Sequence, residues 1–349
     1  MTTTNLLLSI PFLLLAATGC TTEEISDTPI PNEKGEYAVN FSGGLDLELT
    51  KSIPDNLNNG VKATIAAYKT GQTDAAVASH GYTANGSGDF TGESSYTMYL
   101  ARGYYDFYAV SCNSITKEAP AFTSGTSSDL ENGVDYIWAK AANQDIENTG
   151  KSITLGLAHK AVCIEITVKT AANSGIELIS WEGAVATDND NATIMPPVAT
   201  GCTMALSTGV ITPATDVVSG VTASNMITTA VTGSSGYANE KTATASYYIL
   251  PLAQKGGSQS HELKVTFKVK VKIDGNSYTG DADTNGESKV YTANLTAPES
   301  GYAFVAGNKY TYTATLKPNT ISFTGATVTA WGDGGSNDSL TPTEPDPAL

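Results

Sequence analysis

The sequence predicts an all-β protein made of two β-sandwich domains in tandem. Only 15% of its 349 residues are charged, and the Lys-, Glu- and Leu-rich blocks that sustain long helices are absent. Short runs of alternating apolar and polar residues recur along the chain, separated by Gly, Pro and Asn, which is typical of sandwiches. Because no helical segments separate these runs, a parallel α/β sheet is excluded. The length suits two domains of roughly 100 to 200 residues each.

The first 36 residues predict an export signal and a tether. Residues 6–15 (LLLSIPFLLL) match a signal-peptide core and are shorter than the roughly 20 residues of a membrane-spanning helix. Residues 16–20 (AATGC) resemble a bacterial lipoprotein box, which implies a signal peptide at 1–19 and acylation of Cys20. Residues 20–36 are polar and acidic, and they predict a lipidated flexible tether. No Lys or Arg precedes the apolar run, and Ala17 replaces the larger aliphatic residue usual three positions before a lipidated cysteine. An ordinary secretory signal cleaved nearby is therefore the alternative.

The N-terminal sandwich is predicted at residues 37–158. Its strand-like runs are short and end at turn-forming residues. They lie at residues 37–41, 63–68, 95–100, 103–110, 135–139 and 152–157.

The C-terminal sandwich is predicted at residues 159–331, and a disordered tail at 332–349. Residues 161–169 alternate cleanly, and residues 263–273 do so with lysines on one face. The turn signal Asp274-Gly275-Asn276 then predicts a hairpin into residues 277–279. The lysines fit either an anion-binding stripe or the solvated face of a strand, and the second is favoured. Further strands are predicted at 309–317, 321–323 and 327–331.

The net charge limits the classes of partner, and the cysteine count limits the number of disulfides. A net charge of −16 and a pI near 4.5 exclude nucleic acid as a partner, because phosphate binding needs a cationic face. Without Cys20, the odd number of cysteines permits at most one internal disulfide. We expect Cys112, Cys163 and Cys202 to be buried or half-buried thiols.

Catalytic and metal-binding signals are weak. The widely separated His80, His159 and His261 support no triad; His80 is predicted in a loop, and His159 is expected to form hydrogen bonds at the domain junction. The loop from residue 281 begins like a calcium loop but has Thr292 in place of its final carboxylate. An acidic hairpin loop is therefore favoured over calcium, and no other cofactor is predicted. The calcium candidates are Asp281, Asp283, Asn285 and Glu287.

The order of several segments resembles the fimbrillin family of Bacteroidetes outer-membrane lipoproteins, which build or cap adhesive pili. The resemblance covers most of the chain and implies two transthyretin-like β-sandwich domains. The segments are the lipoprotein box at Cys20, VNFSGG at 39–44, TKS at 50–52, YYDFYA at 104–109, DYIWA at 135–139, residues 155–161 around His159, YILP at 248–251, and FVAGNKYTYT at 304–313 leading to Trp331.

The resemblance also implies how subunits would assemble. In polymerising members a protease removes the lipidated leader with the first strand, and a strand of another subunit fills the opened groove. The matching cleavage point here is between Lys51 and Ser52. The donor candidate is the C-terminal segment, although an ordinary strand in its own sandwich is an equal alternative. The donor residues are Ile321, Phe323, Val328, Ala330 and Trp331.

The predicted function is therefore structural and adhesive rather than enzymatic. We expect a lipid-anchored fimbrillin-like pilus subunit, accessory or tip protein, exposed at the cell outer membrane as part of a fimbrium. Its expected partners are other fimbrial subunits, the outer membrane through the lipid, and a host or glycan ligand. The alternative is a carbohydrate-binding surface lipoprotein of a glycan-uptake system, with a sugar surface lined by tyrosines and Trp181.

Overall fold

The computed structural model describes residues 31–45, 56–182, 191–197, 201–213, 221–252, 263–276, 286–295, 304–330 and 338–340. Within these ranges the regular structure consists of β-strands and one 3₁₀ turn, Glu93–Ser95. The predicted all-β class is confirmed.

The N-terminal strands form one large sheet and a small hairpin. In the described residues the sheet has the order β10-β9-β6-β2-β3-β4-β1-β5, while β7 pairs only with β8. The strands are β1 (Tyr37–Leu45), β2 (Lys62–Lys69), β3 (Ala78–Ala84), β4 (Asp89–Gly92), β5 (Met98–Leu100), β6 (Gly103–Ser111), β7 (Phe122–Thr123), β8 (Thr126–Ser127), β9 (Ile137–Ile146) and β10 (Lys151–His159).

The N-terminal sheet closes on itself through β1. One edge of β1 pairs in parallel with β10, from Val39 opposite Lys151 to Leu45 opposite Leu157. Its other edge pairs antiparallel with β4 and β5. Because β10 also pairs with β9, the removal of β1 would leave two sheet edges unpaired.

The C-terminal strands form two larger sheets and a hairpin, β14–β15. Among described residues one sheet has the order β17-β18-β11-β21-β22-β23; the other has β12-β19-β13-β16, with β20 also paired to β19. The strands are β11 (Val162–Thr170), β12 (Ile176–Trp181), β13 (Ala192–Met195), β14 (Thr203–Met204), β15 (Ile211–Thr212), β16 (Ser224–Asn225), β17 (Ile227–Thr228), β18 (Lys241–Ile249), β19 (Leu263–Ile273), β20 (Glu287–Leu295), β21 (Asn308–Leu316), β22 (Ile321–Ala330) and β23 (Asp338–Leu340).

Alternation in β11 and β19 determines which faces meet in the core. Alternate apolar residues from Val162 to Val168 in β11, and from Leu263 to Val271 in β19, are fully buried, as a half-buried strand requires. The β19 lysines lie on the opposite, solvated face, as predicted. Strand β19 pairs with β20 as an antiparallel hairpin. The return strand of this hairpin starts at Glu287. Residues 277–279, where the sequence predicts the return, lie outside the described residues.

Sheet membership changes between His159, the end of β10, and Val162, the start of β11. However, apolar residues of β2, β6 and the segment before β9 join the buried cluster of the C-terminal sheets. Backbone hydrogen bonds also cross this junction, such as Gly133 N to Tyr248 O at 2.7 Å. The division into two domains near residue 158 therefore stays a prediction.

Candidate functional site

The candidate site is the place that β1 occupies between β10 and β4, which we call the β1 seat. The side chains of Val39 and Phe41 are 2% and 3% exposed. The Phe41 ring makes edge contacts with the rings of Tyr82 and Phe107, at centroid distances of 5.3 and 5.6 Å. Burial of two such side chains contributes roughly 1.5 to 3 kcal/mol each, so β1 is held by its core contacts as well as by its backbone.

Gly43 restricts what the β1 seat accepts. Its φ is +154°, and a Cβ added there would lie 2.0 Å from the Leu155 carbonyl oxygen of β10. Its amide donates to the Gly88 carbonyl oxygen at 2.7 Å. A side chain at this position would therefore force β1 away from β10.

Tyr82 lines the seat beneath Phe41 with an unsatisfied hydroxyl. Among described residues it is one of two buried side-chain polar groups that lack a hydrogen-bond partner, the other being Thr170. Burial raises the pKa of the Tyr82 hydroxyl well above its ordinary value, so the group stays neutral. The neutral Tyr82 side chain therefore suits an aromatic ring at position 41.

The predicted processing residues lie outside the described residues. In the sequence, Lys51 and Ser52 fall between Leu45, the end of β1, and residue 56, where the described chain resumes. A cut between them would leave β1 attached to the folded chain only by strand pairing and side-chain packing. Cys20, the predicted lipidation residue, also lies outside the described residues.

The donor candidate β22 pairs with its own sheet. It runs antiparallel to β21, from Ile321 opposite Leu316 to Ala330 opposite Asn308. On its other edge β23 pairs along three residues. The side chains of Ile321 and Phe323 are half-buried against the C-terminal core. Val328 and Ala330 lie in β22, whereas Trp331 is outside the described residues.

For the C-terminal segment, the alternatives were an ordinary strand of its own chain and a strand donated to another subunit, and the pairing of β22 bears on the first. In the isolated chain β22 is an ordinary strand of its own sandwich, and its transfer to another subunit stays a prediction.

A family model described as fimbrillin-like matches residues 50–331, which include every strand after β1 except β23. The chain belongs to the fimbrillin-like family. Membership supports a fimbrial or adhesive role. No curated protein matches the chain.

Solved structures similar to this fimbrillin-like chain include two from Bacteroides species. One, from Bacteroides ovatus, is 15% identical over 85% of this chain and 98% of that chain, with a TM-score of 0.52. Another, from Bacteroides fragilis, is 14% identical over 83% and 96%, with a TM-score of 0.50. Both are described as candidate cell adhesion proteins. At these identities they support the fold alone.

The calcium candidates are not brought together in the described part of this fimbrillin-like chain. Asp281, Asp283 and Asn285 lie outside it. Glu287 begins β20, and its carboxylate is 2.6 Å from the Lys289 ammonium. No cluster of three or more His, Cys, Asp or Glu side chains suited to a metal occurs in the described ranges. Calcium binding stays a prediction.

The two described histidines have structural partners. His159 Nδ1 forms a buried 2.8 Å hydrogen bond with Asp135 Oδ1, and the Asn113 side-chain amide donates to the other oxygen of Asp135. This confirms the predicted hydrogen bonding at the junction. The predicted loop position of His80 is wrong, because His80 lies in β3 and its ring stacks on Tyr96 at 3.9 Å. His261 lies outside the described residues.

The remaining sequence candidates pack inside the fold. Cys112, Cys163 and Cys202 are buried, as predicted, and burial raises the pKa of the first two to about 12. Trp181 donates from Nε1 to the Thr229 carbonyl oxygen at 2.8 Å. This hydrogen bond gives the Trp181 indole a structural role, and the sugar surface expected at Trp181 stays a prediction. No helix in the described ranges is long and apolar enough to cross a membrane.

Proposed function

We propose that this fimbrillin-like chain is a lipid-anchored subunit, accessory or tip protein of a fimbrium, which assembles by donor-strand exchange and mediates adhesion. The observation that carries the proposal is the position of β1. It closes the N-terminal sheet through both edges and fills the core with Val39 and Phe41. It is also the first described strand, so a single chain cut after it breaks its covalent link to the rest of the fold.

A cut after Lys51 would convert the β1 seat into a receptor. Departure of β1 leaves the backbone groups of β10 and β4 unpaired and exposes the rings of Tyr82 and Phe107. An apolar strand from another subunit would satisfy the backbone groups and the core together. The partner we propose is therefore another fimbrial subunit.

The proposed lipid lies on the same side of the cut as β1. Acylation of Cys20 would hold the uncut chain at the outer membrane, and residues 21–36 join that cysteine to β1. One cleavage would therefore release the folded chain from the membrane and open the seat.

Strand β22 is suited to be donated because it lies near an edge of its sheet. In the described part of the chain, the only strand outside it is β23, with three residues. If β22 leaves, β17, β18, β11 and β21 still form a sheet, and the unpaired edge of β21 is the main structural cost.

Adhesion is proposed from the family and from the description of similar structures as candidate cell adhesion proteins. A host surface or a glycan is the proposed ligand class. A glycan array and cell-binding assays with the purified chain test this; no saturable binding to either class would contradict it.

The cleavage proposal is tested by limited digestion with a lysine-specific protease. Lys34 is a matched control because it is exposed in the turn before β1, so cleavage there leaves β1 joined to the folded chain. We expect Lys34→Gln protein to form oligomers after cleavage at Lys51, and Lys51→Gln protein to remain monomeric. Mass spectrometry locates the cuts, and electron microscopy with light scattering detects oligomers. Cleavage at Lys51 without oligomers would contradict donor-strand exchange.

The lipid proposal is tested by labelling cells with a palmitate analogue. We expect Cys20→Ala to abolish incorporation, while Cys112→Ala, which changes a buried thiol, leaves it unchanged. Equal labelling of the Cys20→Ala variant would contradict the anchor without affecting the strand proposal.

A further inference from the structure

The β1 seat imposes a sequence requirement on any strand that fills it. An apolar residue is needed at the Val39 position and a Phe-sized ring at the Phe41 position, because both side chains are buried. Two residues further on, at Gly43, there is no room for a Cβ. A strand that fills the seat must therefore have, at five consecutive positions, an apolar residue, any residue, Phe, any residue and Gly.

This pattern occurs twice in the 349 residues, once in β1 and once in β22. Residues 39–44 are VNFSGG and residues 321–326 are ISFTGA. Phe and Gly are identical, and the first position is apolar and β-branched in both segments. The other three positions pair Asn with Ser, Ser with Thr and Gly with Ala. The Phe-x-Gly of β4 at residues 90–92 does not qualify, because Gly88 stands where the apolar residue is needed.

We infer that β22 of a second copy of this chain fills the β1 seat in a single register, with Phe323 in the place of Phe41 and Gly325 in the place of Gly43. The inference rests on the proposed donor-strand exchange and adds its register and its selecting residues. Ile321 then takes the position of Val39, with one additional methylene group.

The outward face supports the same register. Ser42 places its hydroxyl 3.3 Å from the hydroxyl of Thr154 on β10. In the inferred register Thr324 takes the Ser42 position and keeps a hydroxyl opposite Thr154. The donor would run in the β1 direction, parallel to β10 and antiparallel to β4.

Gly325 also has a role in the isolated chain, which the experiment must separate from the inferred one. The β21 pairing passes from Thr324 opposite Thr313 to Ala326 opposite Tyr312, so Gly325 is the extra residue of a β-bulge. A bulge explains a glycine. Ile321 and Phe323 likewise pack against the C-terminal core of their own chain, so the experiment must separate this packing from a role in the seat as well.

Synthetic peptides separate the two roles because a peptide has no β21 pairing to preserve. The protein is cut after Lys51 at a dilution where light scattering shows only monomer, so that no second copy has yet replaced β1, and a fluorophore on the N-terminal fragment reports its displacement. Peptides of residues 35–47 and 319–330 are added in increasing concentration. We expect both to displace β1 in a saturable manner.

Variants of the 319–330 peptide test the register. Phe323→Ala is expected to weaken displacement at least about a hundredfold, since loss of a buried ring is costly. Gly325→Val is expected to weaken it at least about tenfold, because its side chain meets the Leu155 carbonyl. Ser322→Ala, on the outward face, is the matched control and should be unchanged.

Each outcome has a separate meaning. If the 35–47 peptide displaces β1 and the 319–330 peptide does not, the C-terminal donor proposal is wrong. If the 319–330 peptide displaces β1 and both its Phe323→Ala and Gly325→Val variants do so equally well, donor-strand exchange survives and the inferred register is wrong. If neither natural peptide displaces β1, the seat does not exchange strands and both proposals are wrong.

Discussion

Asp106 provides the sharpest test of how the N-terminal sheet is stabilised. It lies in β6 at a bulge opposite β9, where its side chain is 3% exposed. One carboxylate oxygen accepts a hydrogen bond from the backbone amide of Asn143 at 2.7 Å. The other accepts from the backbone amide of Gly71 at 3.1 Å and lies 3.3 Å from the Lys140 ammonium. The carboxylate thus joins β6 to β9 and to the turn after β2. We expect Asp106→Asn to destabilise the folded protein.

The magnitude follows from those three partners. Asparagine keeps one acceptor oxygen, so at least one backbone amide loses its bond, and a hydrogen bond to a charged group contributes about 1.5 to 3 kcal/mol. The Lys140 ammonium also loses its carboxylate, which costs less than a fully buried charge because the Lys140 side chain is 28% exposed. Together we expect a loss of about 2 to 4 kcal/mol in the free energy of unfolding.

The pH dependence has a definite sign. Burial by itself would raise the pKa of Asp106, but the amides of Asn143 and Gly71 and the ammonium of Lys140 outweigh it and hold the pKa below its ordinary value. The stabilisation is therefore complete above the unfolded-state pKa of about 3.9 and is lost as the pH falls through the lower folded-state pKa. The wild-type protein should lose this contribution on acidification, whereas Asp106→Asn should lack it at every pH.

Urea unfolding between pH 3 and pH 7, followed by circular dichroism, measures both effects. Asp129→Asn is the control, because Asp129 is exposed and its substitution should change stability by less than about 0.5 kcal/mol. An Asp106→Asn protein within 1 kcal/mol of wild type at pH 7, with the same acid dependence, would refute the reasoning.

Three further predictions concern the β1 seat and the buried thiols. Phe41→Ala should cost about 3 to 5 kcal/mol in urea unfolding, because it removes a buried ring; a loss below 1 kcal/mol would show that the ring is not held as described. Gly43→Ala should cost more than about 2 kcal/mol, owing to the clash with β10 and the unfavourable φ, while Ser42→Ala should cost less than about 0.5 kcal/mol. Cys112 and Cys163, whose pKa burial raises to about 12, should resist alkylation at pH 8 until urea unfolds the protein; rapid labelling of the native protein would contradict their burial.

The sequence predicts strands well where alternation is strong and unbroken. Every second residue is apolar from Val162 to Val168 in β11 and from Leu263 to Val271 in β19, and the structure buries this face of each strand. The sequence does not predict β3, because His80 and Gly81 interrupt its apolar alternation. Gly81 has a packing reason that the sequence does not show, since a Cβ there would lie 2.6 Å from the Glu93 carboxylate.

The candidate site was predicted only in part. The alternation of Val39 and Phe41 predicts β1 and its buried face, but periodicity gives no information on which strands pair. The parallel pairing with β10 joins residues more than one hundred positions apart. In the same way, a glycine within a strand indicates either a bulge or a close approach of another backbone. At Gly43 it is a close approach, which only the position of the Leu155 carbonyl in the structure shows.

Comparison of the two halves explains why exchange would be confined to β1. Strand β11 has a similar arrangement, with β21 parallel on one edge and β18 antiparallel on the other. However, β11 continues directly from β10, and this connection is hydrogen-bonded from Lys160 N to the Tyr136 carbonyl at 2.7 Å. Two chain cuts would be needed to free β11, whereas one cut after Lys51 frees β1. Both strands complete a sheet, but only β1 can be removed while the rest of the described fold remains one continuous chain.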